Sequence, residues 1–145
     1  MPKKLSVFDA GFLAMETPQT PMHVAGLQLY ALPLDAPDDY LENLYRQMLD
    51  VPRIAAPFNR KLHSPLPGFL NASWVEDEHQ DIEYHVRHAA LPRPGRIREL
   101  LALVSRLHAQ RLDRSRPLWE CYLIEGIEGN RFAIYTKIHH ALVDG

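Results

Sequence analysis

Apolar residues recur along the chain with two periods, and the periods divide it into helices and strands. Leu41, Leu44, Tyr45 and Met48 fall at i, i+3, i+4 and i+7, one stripe of a helix that Asp38 or Asp39 can cap and Pro52 ends. Ile97, Leu100, Leu101, Val104 and Leu107 make a longer stripe after Pro94-Gly95. Near the amino terminus, Ser6-x-x-Asp9 is a capping pair and Phe8, Phe12 and Leu13 keep helical spacing, until the prolines at 18 and 21 break the run.

The strand period is two. From residue 23 to 32, Ala25, Leu27 and Leu29 share one face while Val24, Gly26, Gln28 and Tyr30 share the other, so apolar groups on both sides predict a strand inside a sheet. His23, which opens this strand, reads as a hydrogen-bonded structural histidine. Residues 119–125 and 131–138 are near-continuous apolar runs joined by Gly126-Ile127-Glu128-Gly129-Asn130, the pattern of a hairpin at the sheet's centre. Shorter strands are expected near residues 59–63, 73–75 and 82–86, and the prolines at 52, 57, 65 and 67 make most of residues 51–68 a loop. The acidic residues Glu76, Asp77, Glu78 and Asp81 read as a solvated turn.

Composition narrows the function classes. The 145 residues suit one ordinary domain, and 46% hydrophobic with 23% charged residues fits a globular chain. A net charge of −2 is too small to attract a polyanion through the whole-molecule field. Residues 87–116 carry eight of the twelve arginines against only Glu99 and Asp113; these arginines could meet the phosphates of coenzyme A or an anionic lipid surface, although a solvated face is the simpler reading. Nucleic acid would want interleaved aromatics, which this stretch lacks. The single cysteine, Cys121, precludes an internal disulfide and suits a reducing compartment, and its apolar setting makes it inert. With no apolar span of membrane length and no secretory leader in Met1-Pro2-Lys3-Lys4-Leu5, residence in the cytoplasm is expected, with peripheral contact to membrane or lipid inclusions left open.

The chemistry concentrates at the end of the hairpin, in His139-His140-Ala141-Leu142-Val143-Asp144-Gly145. Adjacent residues of a strand face opposite ways, so the two histidines should have different jobs. His140 continues the face of Phe132, Ile134 and Ile138, and His139 that of Tyr135 and Lys137. An imidazole can take a proton from a hydroxyl near neutral pH without a prior shift. A metal reading is weak, since a catalytic zinc needs three ligands plus water and no second His/Cys cluster follows. A polar turn after a buried strand remains an alternative on spacing alone.

His-His-x-x-x-Asp-Gly resembles the signature of the chloramphenicol acetyltransferase-like superfamily. Pro117-Leu118-Trp119-Glu120, then Leu123-Ile124-Glu125-Gly126, resembles the Pro-Leu-Trp block of the bacterial wax ester synthase/acyl-CoA:diacylglycerol acyltransferases, as does the opening from Leu5 to Leu13 with Glu16 and Pro21-Met22-His23-Val24. This resemblance implies an α/β chain of the α+β type: a mixed, largely antiparallel sheet flanked by helices, the amino-terminal subdomain of that fold, ending at the motif. Members of the family are much longer, so it also implies that the carboxy-terminal subdomain is absent from this chain and that a second polypeptide carries it.

The implied activity is transfer of a fatty acyl group from acyl-CoA to a long-chain alcohol or a diacylglycerol, with acyl-CoA as a substrate rather than a resident cofactor. His140 would be the general base, His139, Asp144 and Gly145 would shape the loop, and Pro117, Leu118 and Trp119 would support it. The coenzyme A contacts are not legible, and oxyanion support would come from later segments of the family's chain. Two other classes remain: a carrier-protein-dependent condensation or acyltransferase domain, and a non-catalytic half-domain that binds lipid or protein.

Overall fold

A computed structural model describes residues 1–143, so Asp144 and Gly145 of the motif lie outside the described residues. Among the described residues seven strands and four α-helices follow one another: β1 (Lys3–Lys4), α1 (Val7–Met15), β2 (His23–Ala31), α2 (Tyr40–Leu49), β3 (Arg60–His63), β4 (Ser73–Glu76), α3 (Ile82–His85), β5 (Val86–Ala90), α4 (Ile97–Ala109), β6 (Trp119–Ile127) and β7 (Arg131–His139). The strands form two sheets, one of order β2-β7-β6-β5 and a small one of order β1-β4-β3. Every pairing is antiparallel except β5 with β6, which gives the mixed, largely antiparallel sheet that the resemblance implies.

The hairpin β6-β7 occupies the centre of the larger sheet. Its turn needs backbone that most residues avoid: Gly129 has φ +77° and Asn130 φ +53°. One face of this sheet packs on α4, where Leu100 of the helix meets Tyr122, Ile124, Ala133 and Tyr135 of the central strands, with Ile97, Val104 and Leu107 alongside. Leu101, expected on that stripe, is half exposed, and Leu103 takes its place in the packing. A second core joins α1 and the small sheet to the end of β7: Leu13, Trp74, Leu112, Leu118, Ala141 and Leu142 are all buried together.

Helix α1 starts as its sequence dictates. Ser6 Oγ accepts the Asp9 N–H, and Asp9 returns a bond to the Ser6 N–H. Only Leu13 of this helix is buried; Phe8, placed in the same apolar set by spacing, is 82% exposed.

Three other expectations change. Strand β2 pairs with β7 alone among the described residues, and Val24, Leu27, Leu29 and Tyr30 are exposed, so it is an edge strand here despite its two-sided apolar pattern. Residues 82–86 begin as a single helical turn instead of a strand, because the Asp81 carboxylate accepts the Tyr84 N–H and caps it; β5 follows. The acidic turn is partly tied down: Asp77 is buried against Lys61 at 3.0 Å, and Asp81 meets Arg116 at 3.3 Å.

Candidate active site

Burial alternates along β7 and continues through the two histidines. Ala133, Tyr135, Lys137 and His139 are buried, whereas Ile134, Thr136, Ile138 and His140 are half-buried. The pair therefore divides as the strand geometry requires.

His139 has no accessible surface, and both of its ring nitrogens are engaged. The Ala141 N–H donates to Nδ1 at 3.0 Å, so that nitrogen carries no proton; the ring proton sits on Nε2 and is donated to Glu16 Oε2 at 3.2 Å. Glu16 lies at the end of α1 and is itself buried. Its Oε2 also accepts the Met22 N–H at 2.9 Å, and its Oε1 accepts from Arg114 at 3.1 Å. Burial alone would raise this carboxyl, but the Met22 N–H and the Arg114 guanidinium outweigh it and hold the group below its ordinary value. Burial lowers His139, with the Glu16 charge opposing only in part, so the ring stays neutral at physiological pH.

Main-chain bonds fix the same turn. The His139 N–H donates to the Leu118 carbonyl, the His140 N–H to the Met22 carbonyl and the Leu142 N–H to the His139 carbonyl. The Pro-Leu-Trp block thus supports the motif directly: Leu118, fully buried, holds the backbone of the first histidine. Trp119 stacks on His85 with ring centroids 4.4 Å apart, and its indole N–H finds the Phe58 carbonyl at 2.8 Å.

His140 differs in kind. Its ring stacks nearly flat on Phe12 of α1, at 4.9 Å and 14°, and among the described residues neither ring nitrogen has a hydrogen-bonding partner. It is a half-buried imidazole at the end of a central strand, and its proton-accepting atoms make no hydrogen bond to the described residues.

Beneath this end of the strand, a buried polar network anchors α4. Lys137, 1% exposed, donates to the carbonyls of Leu107 and Gln110 at 2.8 and 2.7 Å and lies 3.6 Å from Glu120. Glu120 accepts from Tyr122, which in turn accepts from Arg87. Burial and the Glu120 charge push the Tyr122 hydroxyl up to about 12. His23 bonds the His108 carbonyl at 2.7 Å, as a structural histidine should. Cys121 is half-buried and burial raises its thiol, in keeping with an inert side chain. Three of the eight clustered arginines, Arg87, Arg114 and Arg116, are committed to ion pairs and are not free for phosphate. Among the described residues no cluster of three His, Cys, Asp or Glu side chains could hold a metal ion. A cleft of about 90 Å³ lined by Lys3, Lys4, Arg60, Trp74, Ala141 and Leu142 adjoins the motif turn.

A model of the wax ester synthase/diacylglycerol acyltransferase catalytic domain matches residues 5–145. The chain belongs to that family. It is 50% identical to the O-acyltransferase WSD of Acinetobacter baylyi over 144 residues, covering 99% of this chain and 30% of that protein. A putative diacylglycerol O-acyltransferase of Mycobacterium tuberculosis is 48% identical over 141 residues, with 97% of this chain and 32% of that protein covered. Among solved structures, the wax ester synthase/diacylglycerol acyltransferase of Marinobacter aquaeolei superposes with a TM-score of 0.91 at 50% identity, covering 99% of this chain and 34% of that one. The starter condensation domain of rhizomide synthetase superposes at 0.70 with 14% identity, a likeness of fold alone. The chain thus spans about a third of the length of these relatives.

Within this wax ester synthase/diacylglycerol acyltransferase domain, the residues of the two family-like blocks meet in space: Glu16, Met22 and His23 from the first surround the strand end that Leu118 and Trp119 support. Neither the Glu16 to His139 bond nor the part played by Arg114 has a local signature, because no periodicity relates positions so far apart. Phe12 was legible only as a helix residue, and its contact with His140 was not.

Proposed function

We propose that this chain supplies the catalytic base of an O-acyltransferase that moves a fatty acyl group from acyl-CoA to a long-chain alcohol, giving a wax ester, or to a diacylglycerol, giving a triacylglycerol. The observation that carries the reading is the contrast within the motif: one histidine is buried and spent on structure, while its neighbour stacks on Phe12 and, among the described residues, has no partner on either ring nitrogen. The names of the similar proteins from Acinetobacter and Mycobacterium support the same reaction class.

The steps balance without a further reagent. An imidazole nitrogen of His140 takes the proton of the acceptor hydroxyl as the oxygen attacks the thioester carbonyl. The tetrahedral oxyanion collapses, the C–S bond breaks and the departing thiolate of coenzyme A takes the proton back from the imidazolium. A thiol with a pKa near ~8.5 leaves readily, so the base's main task is activating the weakly acidic alcohol. Direct attack suits this site, since the chain's single thiol, Cys121, is kept protonated by its burial. His139 contributes by fixing the turn that places His140.

The test is thiol release from palmitoyl-CoA by the complete polypeptide, with and without hexadecanol or a diacylglycerol. Release that depends on the alcohol is expected. No release from palmitoyl-CoA, together with turnover of a carrier-protein thioester, would move the chain to a condensation-type reaction.

A further inference from the structure

Helix α1 meets both histidines of the motif from one side. Phe12 and Glu16 stand one helical turn apart, at i and i+4, and engage successive residues where β7 ends: the Glu16 carboxylate takes the His139 Nε2–H, and the Phe12 ring lies against His140. The stack is near parallel, with ring centroids 4.9 Å apart and 14° between the planes, so the imidazole meets the π-face of Phe12 and not its edge. Both backbones are tied. Leu13, next to Phe12, is buried with Ala141 and Leu142, its carbonyl accepts from Arg114, and the His140 N–H donates to the Met22 carbonyl.

Resting on the acyltransferase reading, we infer that Phe12 is a positioning residue that acts through His140: its π-face holds the imidazole and stabilises the positive charge that the ring gains on taking the acceptor's proton. A phenyl face carries the negative part of the ring quadrupole and attracts a cation set over it within ~6 Å. The contact with His140 lies inside that reach. Attraction to the neutral imidazole is weaker, so the contact is stronger in the transition state than in the ground state, which is the condition for speeding the chemical step. A second carboxylate in place of Phe12 would not serve. An acceptor such as Glu16 fixes a proton on the ring nitrogen it meets, as it does at His139, and would occupy a nitrogen of the base. An aromatic face favours the cation without engaging either nitrogen. The two side chains of α1 therefore suit the two roles of the motif histidines, one ring held neutral and the other charged in passing.

The test replaces Phe12 in the complete polypeptide with mono-, di- and pentafluorophenylalanine, which withdraw negative charge from the π-face in stages while keeping the shape of the ring. Single-turnover transfer from palmitoyl-CoA to hexadecanol reads the chemical step. Its rate is expected to fall at each stage, by about three- to thirtyfold at pentafluorophenylalanine. The steady-state KM for either substrate should stay within about twofold, because the interaction removed belongs to the charged ring. Phe12→Leu, which keeps an apolar contact but has no π-face, should lose a similar factor in rate; if that variant unfolds, the fluorinated series decides alone. A purely structural contact would not order the rates by fluorine content. Diethyl pyrocarbonate makes the same comparison without turnover. A nitrogen of His140 attacks one of its carbonyls, the ethyl carbonate group departs to give ethanol and carbon dioxide, and the ring is an imidazolium until it loses its proton. Carbethoxylation at residue 140, followed by fragmentation of the modified peptide, should slow along the same series. A rate that stays flat from phenylalanine to pentafluorophenylalanine in either measurement would overturn the inference. Absence of thiol release in the unsubstituted protein would sink the acyltransferase reading alone, because carbethoxylation still decides the role of Phe12.

Discussion

Glu16 and His139 meet at 3.2 Å with both side chains essentially out of solvent, joining the end of α1 to the end of β7. The carboxylate fixes the ring proton on Nε2, which leaves Nδ1 to accept the Ala141 N–H and so shapes the turn carrying the rest of the motif. Arg114 completes the arrangement by donating to both Glu16 and the Leu13 carbonyl.

Replacing Glu16 with alanine should therefore cost more than a surface ion pair. It leaves Arg114 and the His139 Nε2–H without their buried acceptor, and the loss is expected at about 3–5 kcal/mol. Urea unfolding of the variant checks this; a midpoint within error of the parent would refute the structural role given to the pair.

A second prediction concerns Gly95, which follows Pro94 ahead of α4. It has φ +69°, and a Cβ there would lie 1.7 Å from the Gly126 carbonyl oxygen, which belongs to β6 and cannot yield as a side chain can. The close approach lets the Gly95 carbonyl accept the Glu128 N–H. Gly95→Ala is expected to destabilise by several kcal/mol or to prevent soluble expression, on the order of the largest single-residue effects, ~4 kcal/mol. Thermal unfolding or soluble yield beside a control Gly11→Ala, where nothing lies within 4 Å, measures it.

How far the sequence carried the reading depended on the range of the interactions. The hairpin, the four-residue capping box of α1 and the half-buried stripe of α2 were legible because each is set by neighbours a few positions apart. The status of β2 was not, since two-sided apolarity says that a strand needs cover but not which neighbour provides it. The same limit explains α3, where one capping carboxylate from Asp81 outweighed the strand propensity of Ile82 and Tyr84. At the site, the motif identified both histidines and strand alternation separated their roles. What determines His139, a carboxylate 123 positions away, has no local signature.

Acid should loosen the fold from near neutrality. His23, His85 and His139 are all lowered from an ordinary value of 6.5, chiefly by burial, so the unfolded chain binds more protons than the folded one once the pH drops through that value. A group whose folded pKa is depressed contributes stability above the unfolded value that fades as pH falls toward the folded one. Glu16, Asp77 and Asp113, also held low, add the same sign below about 4.5 and 3.8. Urea midpoints are expected to be level between about pH 7 and 8 and to decline steadily below ~6.5. A midpoint that rises between pH 7 and 5 would contradict the neutral burial of these rings.

The two motif histidines should separate cleanly under substitution. His140→Ala removes a half-buried ring whose main contact is the Phe12 face, so its effect on stability should be small, about 1 kcal/mol for one lost aromatic pair. Its effect on acyl transfer in the complete polypeptide should be large, a fall of roughly 10²–10⁴ in kcat, the usual worth of a positioned base. His139→Ala should show the reverse emphasis: it empties a fully buried site, removes one of the three donors to the Glu16 carboxylate and leaves the buried Ala141 N–H without its acceptor, so unfolding is affected first. Activity in that variant should fall because His140 is no longer held, and the residual rate should recover in part at lower temperature, where the turn is better populated. The pH profile distinguishes the roles further, since only loss of His140 removes the basic group on which the rate depends. Rates and unfolding midpoints measured side by side decide the matter: if His139→Ala stayed as stable as the parent while His140→Ala unfolded, the assignments would have to be exchanged.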